Sequence, residues 1–233
     1  MKDKLKSYVS PKEILRYLQH KDQVIPVEMQ ALLDEVLAET IETIKPKYSL
    51  KRLPVHLNSP LISVTSESGL LLYQLSSSDL CEVTNGSEYF FFVAATLGYE
   101  VVRKINALMH LAPTKAIIMD ACASVIADAL CDFVQDELRN PHLNVDIETY
   151  NYFSQRYSPG YGNLEIKTQK MISDLLNTEK TLGVHVTDHY QLQPEKSVFF
   201  IIGTAKEPFR SKLKTCGSDC SGCLLKNCPY REA

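Results

Sequence analysis

Two groups of residues have the types and spacing to do chemistry. Cys216, Cys220, Cys223 and Cys228 place four sulfurs within thirteen residues, and Pro229 follows the last. Four soft thiolates this close together can complete a tetrahedral zinc site or hold an iron-sulfur cluster, and the terminal Cys-Pro pair tilts the choice toward the cluster. Across residues 206–233, six basic residues stand against three acidic ones. That balance suits an anionic thiolate centre or an acidic partner. The second group is Arg156-Tyr157-Ser158-Pro159-Gly160-Tyr161-Gly162. An arginine presents a rigid fork to a carboxylate, and glycines let a ligand come close to backbone N–H groups. The spacing predicts a helix directly after it, from Leu164 to Leu176, whose positive end would favour an anionic ligand. Taken alone, the same residues also describe a Pro/Gly turn beside a surface arginine.

The elements that must position these groups follow from periodicity and punctuation. Ser10-Pro11-Lys12-Glu13 reads as a capping box with proline in the first turn, so a short helix starts there. Apolar residues at three-and-four spacing predict an amphipathic helix from Val27 to Ile44, ended by Lys45-Pro46-Lys47. Residues 48–75 read as strands, and the Asn85-Gly86 turn feeds a β-rich run from Tyr89 to Val93. Two consecutive helices follow, Glu100 to Met109 and the longer Thr114 to Leu138, with Cys122 and Cys131 on apolar faces. Val184 to Ile202 reads as two short extended runs. His185 and His189 bracket Asp188 on that stretch, a placement for solvent or partner contacts.

The chain has 233 residues, 45% hydrophobic and 23% charged, with a formal net charge of -3. Such a length allows one large domain or two small ones. The expectation is an α+β body over residues 1–205, with a Cys-rich segment at 206–233. The charge supplies no global basic field, which argues against general nucleic-acid binding. The most apolar windows are 89–99 and 116–130. The first is too short for a bilayer, and Asp120 and Asp128 interrupt the second, so no transmembrane helix is expected. A charged N-terminus without an apolar run predicts a cytoplasmic protein, where clustered cysteines serve as metal or redox ligands rather than disulfides.

Arg156-x-x-x-Gly160-Tyr161 resembles the Arg-x-x-x-Gly-Tyr-Pro signature of the activation domain of cobalamin-dependent methionine synthase. Ala127-Asp128-Ala129 is similar to an Ala-Glu-Ala on that family's long helix. Tyr152, Thr178-Glu179 and the Tyr190-x-x-x-Pro194 pair match further positions, and the likeness runs over about residues 116–203. Gly162 replaces the family's proline, while Ser124 and Tyr150 replace acids. The resemblance implies a twisted antiparallel sheet with flanking helices and S-adenosylmethionine as cofactor. It implies that Arg156 grips the methionyl carboxylate, that Gly160 and Tyr161 present backbone and ring to ligand and corrin, and that Asp128 and Tyr190 are further contacts. In that family the domain restores oxidised cobalamin, with an electron donor and S-adenosylmethionine as methyl source. No Asp-x-His-x-x-Gly motif occurs in the chain. Cobalamin is therefore expected on a separate partner, methionine synthase or a related corrinoid protein, with this chain acting in trans. Two other readings stand beside it: a non-catalytic docking or chaperone module for a corrinoid protein, and a small electron-transfer protein whose metal or iron-sulfur segment is the working part.

Overall fold

The run Tyr89 to Thr96 is apolar at almost every position because it is buried on both sides. A computed structural model of the chain describes residues 1–20, 24–139 and 152–211. It opens with α1 (Lys2–Leu5), a 3-10 turn (Lys6–Tyr8), α2 (Pro11–Tyr17) and α3 (Val27–Thr43). Strands β1 (Lys47–Asn58), β2 (Leu61–Thr65) and β3 (Leu71–Ser76) follow, then α4 (Ser78–Val83), β4 (Tyr89–Thr96), α5 (Tyr99–Leu111) and α6 (Pro113–Arg139). The last part holds β5 (Tyr152–Phe153), α7 (Thr168–Leu176), α8 (Thr178–Thr181), a small hairpin of β6 (His185–Val186) and β7 (Leu192–Gln193), and the long β8 (Ser197–Ala205).

The main sheet has the order β3-β2-β1-β4-β8-β5, and every pairing in it is antiparallel. Side chains alternate across a strand, so β4 and β8 feed two cores at once. Phe91, Val93, Ala95, Phe200 and Ile202 pack toward α2, α3, α5 and α6. Phe90, Phe92, Ala94, Phe199 and Ile201 pack toward α4, α7 and Leu164. Burial on both faces gives continuous apolar strands instead of alternating ones. Each buried phenylalanine contributes about 1.5–3 kcal/mol of transfer free energy, so these two strands anchor the whole domain.

The α+β expectation and most of the helices agree with this architecture, while three local expectations are corrected and one element is added. Glu13 turns to Arg16 (2.8 Å) and Ser10 makes no side-chain cap, so the capping box is not formed. The helix expected from Leu164 starts only at Thr168, four residues after the loop. Six-residue α4, capped by Ser77, was too short for periodicity to reveal. The second of the two short runs in Val184 to Ile202 is the nine-residue central strand β8, which continues to Ala205. Cys122 and Cys131 are fully buried on α6, as expected, and Cys81 is buried too. Among the described residues, no helix is long and apolar enough to cross a membrane.

Candidate functional site

α6 supplies the floor of the site. It buries most of its length, but Asp120, Ser124, Asp128, Asp132 and Asp136 recur every four residues and form a polar row along one face. Like charges at that spacing repel, so the row is stable only when partners meet it. They come from distant segments. Lys196 reaches Asp120 and Ser124, both at 2.8 Å. The Tyr17 hydroxyl donates to Asp128 Oδ2 at 3.0 Å, Arg156 pairs with Asp132, and Tyr8 donates to Asp136 at 3.0 Å.

Arg156 belongs to a sheet edge more than to a loop. Ser154 Oγ accepts from Gly203 N–H at 2.8 Å, and Tyr157 exchanges both backbone hydrogen bonds with Ile201 at 2.9 and 2.8 Å. Strand alternation sends the Tyr157 ring into the core below, beside Phe199 and Ile201, and Arg156 to the opposite face, over α6. The guanidinium is half-buried, and although burial disfavours its charge, neighbouring Cys131, Asp132 and Asp128 raise its pKa. Asp128 is open to solvent on one side and crowded by protein on the other. That crowding raises its carboxyl pKa above the ordinary carboxylate range, while the Tyr17 hydrogen bond and the positive charge of Arg156 act in the opposite direction. Burial likewise raises the Tyr17 phenol, and Asp128 and Tyr161 add to the rise. Thus Tyr17, Asp128, Arg156 and Tyr161 share one electrostatic neighbourhood.

The far end of the same segment is a hydrogen-bonded latch. Asn163 donates its backbone N–H to Asp79 Oδ2 (3.1 Å) and its side-chain amide to Ser78 Oγ (2.6 Å) and Asp79 Oδ1 (3.1 Å). Its carbonyl oxygen accepts from Ser77 Oγ (2.6 Å) and Asp79 N–H (3.2 Å). Burial and the Asp79 carboxylate push Tyr157 up to about 12. Gly162 lies at φ +48°, and a Cβ there would collide with Asp79 Oδ2 and the Tyr157 hydroxyl. Glycine at this position is thus required by the latch, whatever ligand approaches.

Of the residues singled out from sequence, Asp128 and Arg156 lie together over α6, and exposed Tyr161 is within electrostatic reach of Tyr17 beside them. Gly160 (φ +92°) forms the exposed turn beside them, its backbone N–H donating to Leu164 C=O at 2.8 Å and Ile166 packed against it. Tyr190, also in the left-handed region at φ +60°, lies in the turn between β6 and β7, where its backbone N–H donates to Thr187 C=O at 2.8 Å, and it is not brought into contact with Asp128 or Arg156 among the described residues. The positive helix end expected at the loop is displaced, because residues 164–167 separate it from Gly162 and α7 begins without a side-chain cap. His185 Nδ1 meets the Tyr99 hydroxyl at 3.5 Å, away from the site. Cys216, Cys220, Cys223, Cys228 and Tyr150 lie outside the described residues, and no His/Cys/Asp/Glu cluster able to hold a metal occurs among the described ones. Two hollows, of about 500 Å³ beside Lys45 and Tyr99 and about 340 Å³ between β3 and α7, include none of the converging residues. In the first, Glu100 is ion-paired with Lys45 at 2.9 Å and Arg103 at 3.8 Å. The surface around Arg156 is an open shelf on which opposite charges from two elements, the sheet edge and α6, meet at the solvent boundary.

Tyr17, Asp132, Asp79 and Asn163 were not read from the sequence as parts of the site. The four-residue recurrence of acids at 128, 132 and 136 was the available signal for Asp132.

Comparison with known proteins identifies the family and the fold. The family model described as "Vitamin B12 dependent methionine synthase, activation domain" matches residues 73–219. Among solved structures, a crystal structure of the MetH reactivation domain bound to AdoHcy superposes with a TM-score of 0.73 at 18% identity, over 92% of this chain and 78% of that one. At that identity the superposition establishes the shared fold, whereas the sequence match covers more than half of the chain. The chain belongs to the vitamin B12-dependent methionine synthase activation domain family.

Proposed function

We propose that this chain takes part in cobalamin reactivation as a separate protein, binding S-adenosylmethionine on the Arg156 shelf and serving a cobalamin-carrying methionine synthase or related corrinoid protein. One observation carries the reading: Arg156 and Asp128, of opposite charge and from different elements, share one half-buried neighbourhood with Tyr161. That pairing complements a methionyl group, which carries a carboxylate and an ammonium on one carbon and a sulfonium further along. Arg156 would take the carboxylate in a forked, charge-assisted contact, Asp128 would face the positive charge, and Gly160 and Tyr161 would supply backbone and ring at the open edge. Tyr190 would close the far side of the turn. When bound, S-adenosylmethionine supplies the methyl group as an electrophile, and the reduced corrinoid on the partner, after receiving an electron from a donor protein, accepts it. The AdoHcy held by the structural relative, the product of such a transfer, supports this ligand class.

In the free protein Asp132 occupies the Arg156 guanidinium. Ligand binding would therefore exchange one carboxylate for another, at little net cost because Asp132 is half-exposed and returns to water. The test is to mix the chain with a Co(II)-cobalamin methionine synthase lacking its own activation domain, S-adenosylmethionine and a one-electron donor. Faster appearance of the methylcobalamin absorbance supports the reading, and an unchanged rate rejects it. Residues 206–233 form, in this reading, a separate segment in which Cys216, Cys220, Cys223 and Cys228 bind zinc or an iron-sulfur cluster. Stoichiometric zinc or iron in anaerobically prepared protein, lost when Cys220 and Cys223 become serine, is the expected result.

A further inference from the structure

Three acids of the α6 row have cationic partners: Asp120 has Lys196, Asp132 has Arg156 and Asp136 has Arg139. Asp128 differs. Among the described residues its hydrogen-bond partner is the Tyr17 hydroxyl, a neutral donor. A phenol fixes one carboxylate oxygen without cancelling the charge, so Asp128 is held in place and keeps its negative charge available. Tyr17 is itself firmly placed. Its helix α2 is anchored by buried Ile14, and the Arg16 guanidinium, held by Glu13, lies 5.5 Å from the Tyr17 ring centroid. The phenol lies within electrostatic reach of Tyr161 as well.

We infer that Tyr17 is a specificity-determining residue of this site: its hydroxyl orients Asp128 as a carboxylate that has no direct ion pair, and so selects a ligand with a sulfonium beside its amino-acid group over the neutral thioether counterpart. The inference rests on the proposed function, because it concerns the same shelf. The groups facing Asp128 are Tyr17 and Arg16 from α2, Arg156 from the sheet edge, and Asp132 and Cys131 from α6. Of these, Tyr17 donates the hydrogen bond that keeps the carboxyl ionised against burial. Removing it raises the pH at which Asp128 becomes charged.

The experiment titrates the full chain and its Tyr17→Phe variant with S-adenosylmethionine and with S-adenosylhomocysteine from the acid limit of the folded state up to neutral pH, and follows the Asp128 carboxyl carbon by NMR in the same samples. Phenylalanine retains the ring and its packing. The expected result is an affinity for S-adenosylmethionine lower by about tenfold, the scale of one hydrogen bond to a charged group. The thioether should lose less, and both the binding midpoint and the Asp128 titration should move to higher pH. A variant that matches the wild type for both ligands at every pH overturns the role of Tyr17 and leaves the proposed function standing. A wild type that binds neither ligand overturns the proposed function, and this inference with it.

Discussion

At its first residue the segment 156–163 meets the body through a partly exposed ion pair, Arg156 to Asp132, whereas at its last Asn163 is fastened to the start of α4 through five hydrogen bonds. The two ends divide the work. A partly exposed ion pair contributes about 0–1 kcal/mol and exchanges readily, so the arginine end can release its internal partner to a ligand. The asparagine end satisfies donors and acceptors on both sides, and breaking it leaves several polar groups without partners. A binding group thus swings little while its charge is free to change hands.

The largest expected effect breaks the exchangeable end. Arg156→Ala should lower S-adenosylmethionine affinity by about 100-fold, since a charged, forked contact is worth roughly 1.5–3 kcal/mol. Its melting temperature should stay close to the wild type because the pair is partly exposed; parallel ligand titration and thermal unfolding check both halves. Breaking the fixed end should reverse the pattern. Asn163→Ala is expected to cost about 1–2 kcal/mol of stability, read as a midpoint shift in urea unfolding. Gly162→Ala should do the same by forcing a Cβ onto Asp79 and Tyr157 at a positive φ.

The pH dependence sharpens the comparison further. Asp128 has a folded-state pKa raised above its unfolded value by burial, so the folded state binds the extra proton and stability falls as pH rises through that interval. Asp128→Asn removes the penalty. Its thermal stability at neutral pH should equal or exceed the wild type, while wild-type ligand affinity rises with pH as Asp128 ionises and the variant's does not. The smallest effect is Asp132→Asn, which relieves Arg156 of its internal competitor and should tighten ligand binding by about two- to fivefold, as expected from an exposed ion pair. Weaker binding in that variant would mean that Asp132 positions the guanidinium instead of competing for it.

The parts of this molecule legible in the sequence are those governed by local pattern. The apolar period of α3, the buried cysteines of α6 and the Arg-x-x-x-Gly-Tyr spacing are contained in short windows. The illegible parts depend on pairing at long range. Tyr17 and Asp128 are 111 residues apart and Asn163 and Asp79 are 84 apart, so no window holds both members. Gly162 looked like a ligand-facing glycine because its real neighbours, Asp79 and Tyr157, come from elsewhere in the fold. Arg156 and Tyr157 read as part of a ligand loop because their edge pairing is with β8, more than forty positions later, and an isolated bridge leaves no periodic trace.

If Arg156 and Asp128 together hold a methionyl ligand, calorimetric titration of S-adenosylmethionine into the full chain should show saturable one-to-one binding. Arg156→Ala and Asp128→Asn should each lose most of that binding, with stability no more than about 1 kcal/mol below the wild type. Absence of saturable binding to the wild type, or equal affinity in all three proteins, would contradict that joint role.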